Sequence, residues 1–323
     1  MTKCLSAIIA FRTFLKLAET DNNDQVSRGA IAALLVVQAM FGSLPVIAKL
    51  VLAYLPSVSL VGFRVGITAL LLLAVQVYRG RVWLKDRSDY ARLFVLGLFG
   101  VVFNQLLFVG GLARTKASNT SLLAVTIPIF TLIVSGIIGS ERFRTAKVLG
   151  IGLAATGVIL LIDPRAASFS SQTTLGDMMI VINSLSYGIY VATSKEVITR
   201  NGAFRSMMWV FVFASSICVP LGIASLSYAA PSAIGVDIWL LVLYIAVGAT
   251  AAPYFLNAWA LARVSPSTVA VFVYLQPLIG FALAVIFLGE ALDFRFIIAA
   301  VFVFLGVFFT SRRARPRDIH VTT

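Results

Sequence analysis

A segment that occurs twice limits how this chain can fold. The two copies span residues 114–157 and 263–306 and align at one constant offset without a gap. In each copy an Arg is followed by an apolar run with a central Pro, then by a Glu and a Gly. The matched positions are Arg114, Pro128, Glu141 and Gly157 in the first copy and Arg263, Pro277, Glu290 and Gly306 in the second. The repeat predicts a chain built from two related halves.

The apolar runs have the length of membrane spans. Each central Pro lies within about 20 apolar residues, enough to cross the hydrocarbon core as a helix. The chain is 60% hydrophobic and 12% charged, whereas soluble chains are about half apolar and a quarter charged. We therefore predict an all-α polytopic membrane protein. Ten transmembrane helices are expected near residues 30–53, 58–78, 90–112, 118–138, 145–162, 175–195, 206–228, 236–260, 267–288 and 294–311.

The distribution of Lys and Arg predicts how the spans are oriented. Most of the 26 basic residues, Arg295 among them, are assigned to the tails and to the loops on the same side of the membrane as the tails. The opposite side is assigned Arg114, Lys116, Arg165 and Arg263. Because basic residues favour the cytoplasm, both termini are expected there, in a multi-pass protein of the cell inner (plasma) membrane. Each half then has an odd number of spans, so the halves are expected to be inverted, as in alternating-access transporters.

Several other classes of protein do not fit this sequence. The net charge of +13 lies mainly in short loops between spans, which argues against nucleic-acid binding. Cys4 and Cys218 are too isolated to suggest a disulfide framework or a metal site, and His320 is the single His. Hydrolase, metalloprotease and phosphate-loop motifs are missing from the sequence. We expect neither an enzyme nor a cofactor, and the sequence leaves the oligomeric state open.

These features divide the chain into two repeats with short flanking segments. The repeats are expected at residues 30–163 and 175–311, joined by an outer linker at 164–174. A cytoplasmic N-terminal tail at 1–29 is either poorly ordered or an amphipathic helix on the membrane. A basic cytoplasmic tail follows at 312–323.

The repeated pattern resembles the EamA-type transporters of the drug/metabolite transporter (DMT) superfamily. Its marks are a span with a central Pro, a Gly-Glu or Ser-Glu turn, and a span that ends in Gly. They are carried by Pro128 with Ser140 and Glu141, by Pro277 with Gly289 and Glu290, and by Phe41, Gly42, Ser43, Lys49, Phe63 and Arg64 near the start. Ser140 departs from the usual Gly. The resemblance covers residues 30–312 and implies transport of amino acids, other metabolites or drugs, through a pocket formed mainly by spans 1, 3, 4, 6, 8 and 9.

Polar and aromatic side chains inside the spans are the candidate substrate-binding residues. Polar groups in hydrocarbon are costly and usually face the bundle interior or a wet cavity. Asn183, Tyr187 and Tyr190 share one helix face. The polar and aromatic candidates are Phe41, Asn104, Asn183, Tyr187, Tyr190, Tyr254, Asn257, Tyr274 and Gln276, and Gln105 lies next to Asn104 in the same span. The alternative for each residue is a role in helix–helix packing.

Two cations and two prolines complete the candidate set. Lys49 and Arg64 flank the first outer loop, where they either attract an anionic group of the substrate or extend to the interface. Pro128 and Pro277 each remove a helix hydrogen bond, which predicts a kink that is either a pivot beside the cavity or a static bend. All acidic residues are expected in loops, tails or span edges, so no buried carboxylate for proton coupling is predicted.

The sequence therefore predicts a carrier that exports a small organic metabolite by alternating access. The aromatic and amide side chains indicate a neutral or zwitterionic, partly apolar substrate, such as an amino acid or a related compound. The alternative is a non-transporting membrane protein, such as a sensor or an assembly partner. The lipid bilayer and a small-molecule substrate are the expected partners.

Overall fold

The structure is a computed structural model and describes residues 25–115, 117–162, 173–226, 234–279 and 294–311. Every regular element in these ranges is helical. The helices are α1 (Gln25–Leu52), α2 (Ser57–Tyr78), α3 (Ser88–Leu112), α4 (Ala117–Leu123), α5 (Thr126–Ile137), α6 (Thr145–Ile162), α7 (Thr174–Asn201), α8 (Ala203–Ser225), α9 (Val236–Leu261), α10 (Pro266–Val271) and α11 (Phe294–Ser311). The all-α prediction is confirmed for the described part of the chain.

Six of the described helices are long and apolar enough to cross a membrane: α1, α2, α3, α7, α8 and α9. Shorter apolar helices occupy Thr126–Ile137, Thr145–Leu161, Pro266–Ile279 and Phe296–Ser311. Most of the N-terminal tail, most of the linker at 164–174, residues 280–293 and the basic C-terminal tail lie outside the described residues.

Two close helix pairs depend on glycine. A Cβ at Gly62 of α2 would lie 2.8 Å from the Cα of Gly222 in α8. A Cβ at Gly157 of α6 would lie 2.8 Å from the carbonyl oxygen of Ala299 in α11. Because small residues let helix backbones approach, these contacts hold α2 on α8 and α6 on α11 where hydrophobic burial gives little driving force in lipid.

Four of the apolar helical segments are interrupted within the described residues. α3 contains a π-helical turn at Leu98–Phe103, and α9 contains one at Val247–Ala251. α4 and α5 are separated by a turn at residues 124–125, and α10 continues through a 3₁₀ turn at Phe272–Tyr274. Pro128 and Pro277 each follow one of the last two breaks, and Pro has no N–H to continue the ladder. Their role as pivots stays a prediction.

The turn that carries Arg263 lies at the opposite end of α7 from Arg114. The Lys195 Nζ near the end of α7 donates to the Val264 carbonyl (2.6 Å). At the start of α7, a Cβ on Gly176 would lie 2.9 Å from the carbonyl carbon of Arg114. The prediction that places Arg263 and Arg114 on one side is therefore wrong. Eight predicted spans precede Arg263, and an even number returns the chain to the side of its N-terminus.

The start of α11 also lies at the end opposite to the one predicted. α11 runs antiparallel to α6, because a Cβ at Gly150 would meet the Gly306 carbonyl oxygen at 2.8 Å and Gly157 approaches Ala299. The first turn of α11 therefore lies near the last turn of α6. Nine predicted spans precede Arg295, and an odd number ends on the side opposite the N-terminus. The assignment of Arg295 to the side of the N-terminus is therefore wrong.

Two carboxylates are buried at helix starts, contrary to the expectation that none is buried. Asp89 is fully buried, paired with Arg200 and hydrogen-bonded by Asn201 Nδ2 (2.6 Å). Asp177 is 8% exposed and accepts hydrogen bonds through Oδ1, while its Oδ2 has no partner among the described residues. Both lie at span edges as predicted, but neighbouring helix ends cover them, which linear position does not reveal.

Candidate functional site

The Tyr254 hydroxyl joins two of the predicted site helices in the bundle interior. Gln105 Nε2 on α3 donates to this hydroxyl, which itself lies 3.0 Å from the Gly100 carbonyl oxygen and from Asn104 Oδ1. Asn104 Nδ2 then donates to Asn183 Oδ1 on α7 (2.7 Å). A chain of hydrogen bonds therefore crosses α9, α3 and α7. In such a network the polar groups satisfy one another's hydrogen-bonding capacity.

The π turn of α3 explains why Tyr254 can reach a backbone carbonyl there. A π turn shifts the hydrogen-bond ladder and is frequent at functional sites. The carbonyl of Gly100 accepts from Tyr254, and the neighbouring Phe99 carbonyl accepts from Ser186 Oγ (2.8 Å). Gly100 also has to be glycine, because a Cβ would lie 2.6 Å from Cγ of the Tyr190 ring.

Aromatic rings surround this hydrogen-bond network. Tyr187 and Tyr190 have ring centroids 5.9 Å apart, and Phe41 meets Tyr254 edge to face at 5.7 Å. Asn257 Nδ2 on α9 donates to the Tyr187 hydroxyl (3.0 Å). The structure therefore brings together predicted residues of α1, α3, α7 and α9. We name this set the central cluster: Phe41, Asn104, Gln105, Asn183, Tyr187, Tyr190, Tyr254 and Asn257.

Arg64 is a buried cation beside the central cluster. Its side chain is fully buried, Nε donates to Thr250 Oγ1 (3.0 Å), and Nη2 donates to the Ala249 carbonyl (3.3 Å). Among the described residues, Nη1 has no hydrogen-bond partner and no carboxylate forms a salt bridge with Arg64. Arg64 therefore does not extend to the interface. It remains a cation in the protein interior with one donor nitrogen left unused.

Lys49 differs from Arg64 in its surroundings. It is exposed near the end of α1 and forms no salt bridge with a described acidic residue. The structure does not bring Lys49 into the central cluster. Its two predicted roles, attraction of an anion and extension to the interface, both remain predictions.

Tyr274 and Gln276 link the interrupted segments to other helices. The Tyr274 hydroxyl donates to the Val125 carbonyl (2.8 Å), which lies at the break between α4 and α5. Gln276 Nε2 donates to Gln38 Oε1 on α1 (2.8 Å). Pro128 lies three residues beyond Val125, and Pro277 directly follows Gln276. These residues therefore lie where the broken segments of the two repeats meet.

Two of these contacts join equivalent positions of the two repeats. Gln105 and Tyr254 are 149 residues apart, and so are Val125 and Tyr274. This is the offset that aligns Arg114 with Arg263. The π turns at Leu98–Phe103 and Val247–Ala251 also begin at equivalent positions.

Sequence reasoning left Gln38 and Thr250 out of the candidate site. Gln38 is a buried amide within a predicted span, so the cost of polar groups in lipid could have identified it as it did Gln105. Thr250 gave a weaker signal, since hydroxyls in membrane helices usually bond to their own backbone. The Thr250 hydroxyl donates to the Ile245 carbonyl (2.7 Å) and also accepts a hydrogen bond from Arg64 Nε.

The central cluster offers hydroxyls, amides, aromatic faces and one adjacent cation. None of its members is acidic or a common metal ligand. Such a set of groups can bind a small polar molecule through hydrogen bonds and can balance one negative charge.

Comparison with known proteins identifies relatives over most of the chain. A protein from Archaeoglobus fulgidus named "Uncharacterized transporter" is 24% identical over 266 residues, which cover 82% of this chain and 91% of the relative. A Salmonella typhimurium protein named "Probable amino-acid metabolite efflux pump" is 28% identical over 289 residues, covering 87% and 93%. The relatives named as transporters are consistent with a chain that is not an enzyme.

A solved structure shares the fold. It superimposes with a TM-score of 0.72 at 18% identity, covering 87% of this chain and 96% of the other. The model of the EamA-like transporter family matches residues 27–163 and again residues 174–312. Two matches of this length leave little of the chain outside the two repeats, and the chain belongs to the EamA-like transporter family.

Proposed function

We propose that this chain is an inner-membrane carrier that exports a small organic metabolite, an amino acid or a related carboxylate, by alternating access. The observation that carries the proposal is the contact between equivalent residues of the two repeats. Gln105 with Tyr254, and Val125 with Tyr274, are pairs separated by the repeat offset. Equivalent residues touch where a two-fold axis relates the two halves, and carriers with inverted repeats place the substrate near this axis.

Contacts at the two ends of α7 support an inverted arrangement of ten spans. The segment that opens the first copy, at Arg114, lies by the start of α7, whereas Arg263, which opens the second copy, lies in the turn bound by Lys195 near the end of α7. Some 20 residues of helix separate these ends, which is about 30 Å. Both termini are then cytoplasmic, as the excess of basic residues on that side favours.

Arg64 supports a substrate with a carboxylate. A buried guanidinium without a counter-ion is costly, and its free Nη1 is suited to a planar carboxylate. The Asn257 amide and the Tyr187 hydroxyl would form hydrogen bonds with the other polar groups of the substrate. The Salmonella relative, whose name describes amino-acid metabolite efflux, agrees with this substrate class.

A bound substrate would replace the hydrogen bond between Asn257 and Tyr187. In the present structure the two groups satisfy each other at 3.0 Å. A substrate that replaces this bond must offer both an acceptor for the amide and a partner for the hydroxyl. Amino acids and their close relatives carry both kinds of group.

Counterflow in proteoliposomes tests the proposal. Vesicles preloaded with one candidate should accumulate the labelled compound, and a panel of amino acids, neutral amines and nucleosides would define the class. Tyr187→Phe removes the hydroxyl from the central cluster and should lower the initial rate about tenfold, since a lost hydrogen bond costs about 1.4 kcal/mol. Tyr78→Phe makes the same change at a side chain that is 93% exposed and should leave the rate unchanged.

The outcome separates a carrier from a sensor. Counterflow limited to carboxylates and lowered by Tyr187→Phe alone supports the proposal. Counterflow of neutral amines at equal rates would contradict the role of Arg64. A folded protein that moves no compound of the panel would contradict transport of this class and would favour a sensor or an assembly partner.

A further inference from the structure

A polar cavity lies at the end of α2, away from the central cluster. It is a cleft of about 640 Å³ between the end of α2, the junction of α7 and α8, and the last turns of α9. We name it the arginine cleft. Its lining includes Arg79, Arg81, Asn201, Arg205, Phe255 and Trp259.

The three arginines of the cleft have no acidic partner among the described residues. Arg79, Arg81 and Arg205 form none of the salt bridges of the described chain. Two nearby carboxylates already have basic partners, since Asp89 pairs with Arg200 and Glu196 with Arg92 and Arg200. The cleft therefore concentrates positive charge that an anionic ligand would balance.

Two buried polar atoms in the lining are also unsatisfied. Arg205 Nε is a donor and Asn201 Oδ1 is an acceptor, and neither has a hydrogen-bond partner among the described residues. Buried polar atoms without partners are uncommon and indicate a missing ligand or water. Their chemistry fits a ligand that carries oxyanion acceptors together with a hydroxyl or amine donor.

The surroundings of the cleft are of the kind found at the level of lipid headgroups. Tyr78 and Trp83 flank it and are 93% and 74% exposed, as expected for aromatic side chains at the membrane interface. α2 leads from the cleft toward the middle of the bundle and exposes Leu70 (69%) and Val77 (57%). An apolar surface that could face acyl chains is thus continuous with a cationic cavity.

We propose that the arginine cleft binds the phosphate of an anionic phospholipid, with the acyl chains along the exposed face of α2. Arginines bind phosphate oxygens through paired, charge-assisted hydrogen bonds. A headgroup hydroxyl, as in phosphatidylglycerol, supplies the donor that Asn201 Oδ1 lacks. Basic pockets between membrane helices on the cytoplasmic side bind lipids of this kind. The site is independent of the proposed transport, because none of its residues belongs to the central cluster.

Thermal unfolding with short-chain lipids tests this site. The delipidated full chain, in a non-ionic detergent, would be titrated with dihexanoyl phosphatidylglycerol, with the matching phosphatidylcholine, and with inorganic phosphate. A ligand that binds the folded state raises the midpoint. Phosphatidylglycerol should raise it, and Arg79→Gln and Arg81→Gln should each weaken the apparent affinity about tenfold. Both side chains are exposed, so the lipid-free midpoint should not change.

A matched control and three outcomes decide the proposal. Arg144→Gln removes an exposed arginine outside the cleft and should bind phosphatidylglycerol like the unmodified chain. Equal effects of the two lipids, or full affinity in Arg79→Gln and Arg81→Gln, would overturn the proposal. A saturable rise with inorganic phosphate that abolishes the lipid effect would assign the site to a soluble phosphate and overturn the lipid assignment.

Discussion

Replacing Glu141 by Ala is expected to lower the free energy of unfolding strongly. Glu141 lies in the turn between α5 and α6, and its side chain is 5% exposed. Its carboxylate accepts hydrogen bonds from the Ser267 N–H (2.8 Å) and hydroxyl (2.6 Å) and pairs with Lys147, which is 13% exposed. One carboxylate of the first repeat therefore holds the start of the Pro-containing segment of the second.

The magnitude follows from what the substitution leaves behind. Glu141→Ala would leave the Lys147 ammonium and two Ser267 donors largely buried without their acceptor. Removing one partner of a buried ion pair costs about 3–5 kcal/mol, because the remaining charge is uncompensated. Glu196 provides the matched control: it is 73% exposed, and pairs of that kind contribute about 0–1 kcal/mol.

Unfolding titrations with a denaturing detergent would measure both variants in the same micelles. We expect Glu141→Ala to lose about 3–5 kcal/mol and Glu196→Ala less than about 1 kcal/mol. A double-mutant cycle with Lys147→Ala should give a coupling energy of at least about 1 kcal/mol, as for residues in direct contact. Equal losses for the two Glu variants, or no coupling with Lys147, would refute this reasoning.

Two further predictions concern packing and the buried carboxylate of α7. A Cβ at Gly150 would lie 2.8 Å from the Gly306 carbonyl oxygen, so Gly150→Ala should lower the free energy of unfolding by about 1–3 kcal/mol. A Cβ at Gly152 would have nothing within 4 Å, so Gly152→Ala should raise it by about 0.5–1 kcal/mol. The same titration compares the two variants, and equal effects would contradict the packing. Asp177→Ala leaves the Thr115 hydroxyl without its acceptor and should cost about 1–3 kcal/mol. A loss below about 0.5 kcal/mol would contradict that bond's importance.

Much of the fold could be predicted because membrane spans are long and apolar. The helical class followed from composition and span length alone, and the repeat followed from four matched residues. The interruptions were only partly predictable, since Pro128 and Pro277 mark two of them. The π turns of α3 and α9 contain no Pro. Tyr254 and Arg64 bind backbone carbonyls in these turns, and the sequence alone does not show such contacts between distant residues.

Burial was less predictable than orientation. Arg263 and Arg295 were assigned to the wrong sides although the predicted spans already fix their sides, since eight spans precede Arg263 and nine precede Arg295. Asp89 and Asp177 looked exposed because they lie at helix starts, and only the neighbouring chain shows that they are covered. The sequence could nominate Asn257 and Tyr187 as pocket residues, but not that they bind each other.

The inverted arrangement of the two halves is the central claim and can be tested at one pair of positions. Ala113 and Ala262 occupy equivalent places before Arg114 and Arg263. In a chain without Cys4 and Cys218, Ala113→Cys should react with a membrane-impermeant maleimide in intact cells. Ala262→Cys should react only after the membrane is permeabilised. Reaction of both positions from the same side would contradict inverted repeats and the alternating-access account built on them.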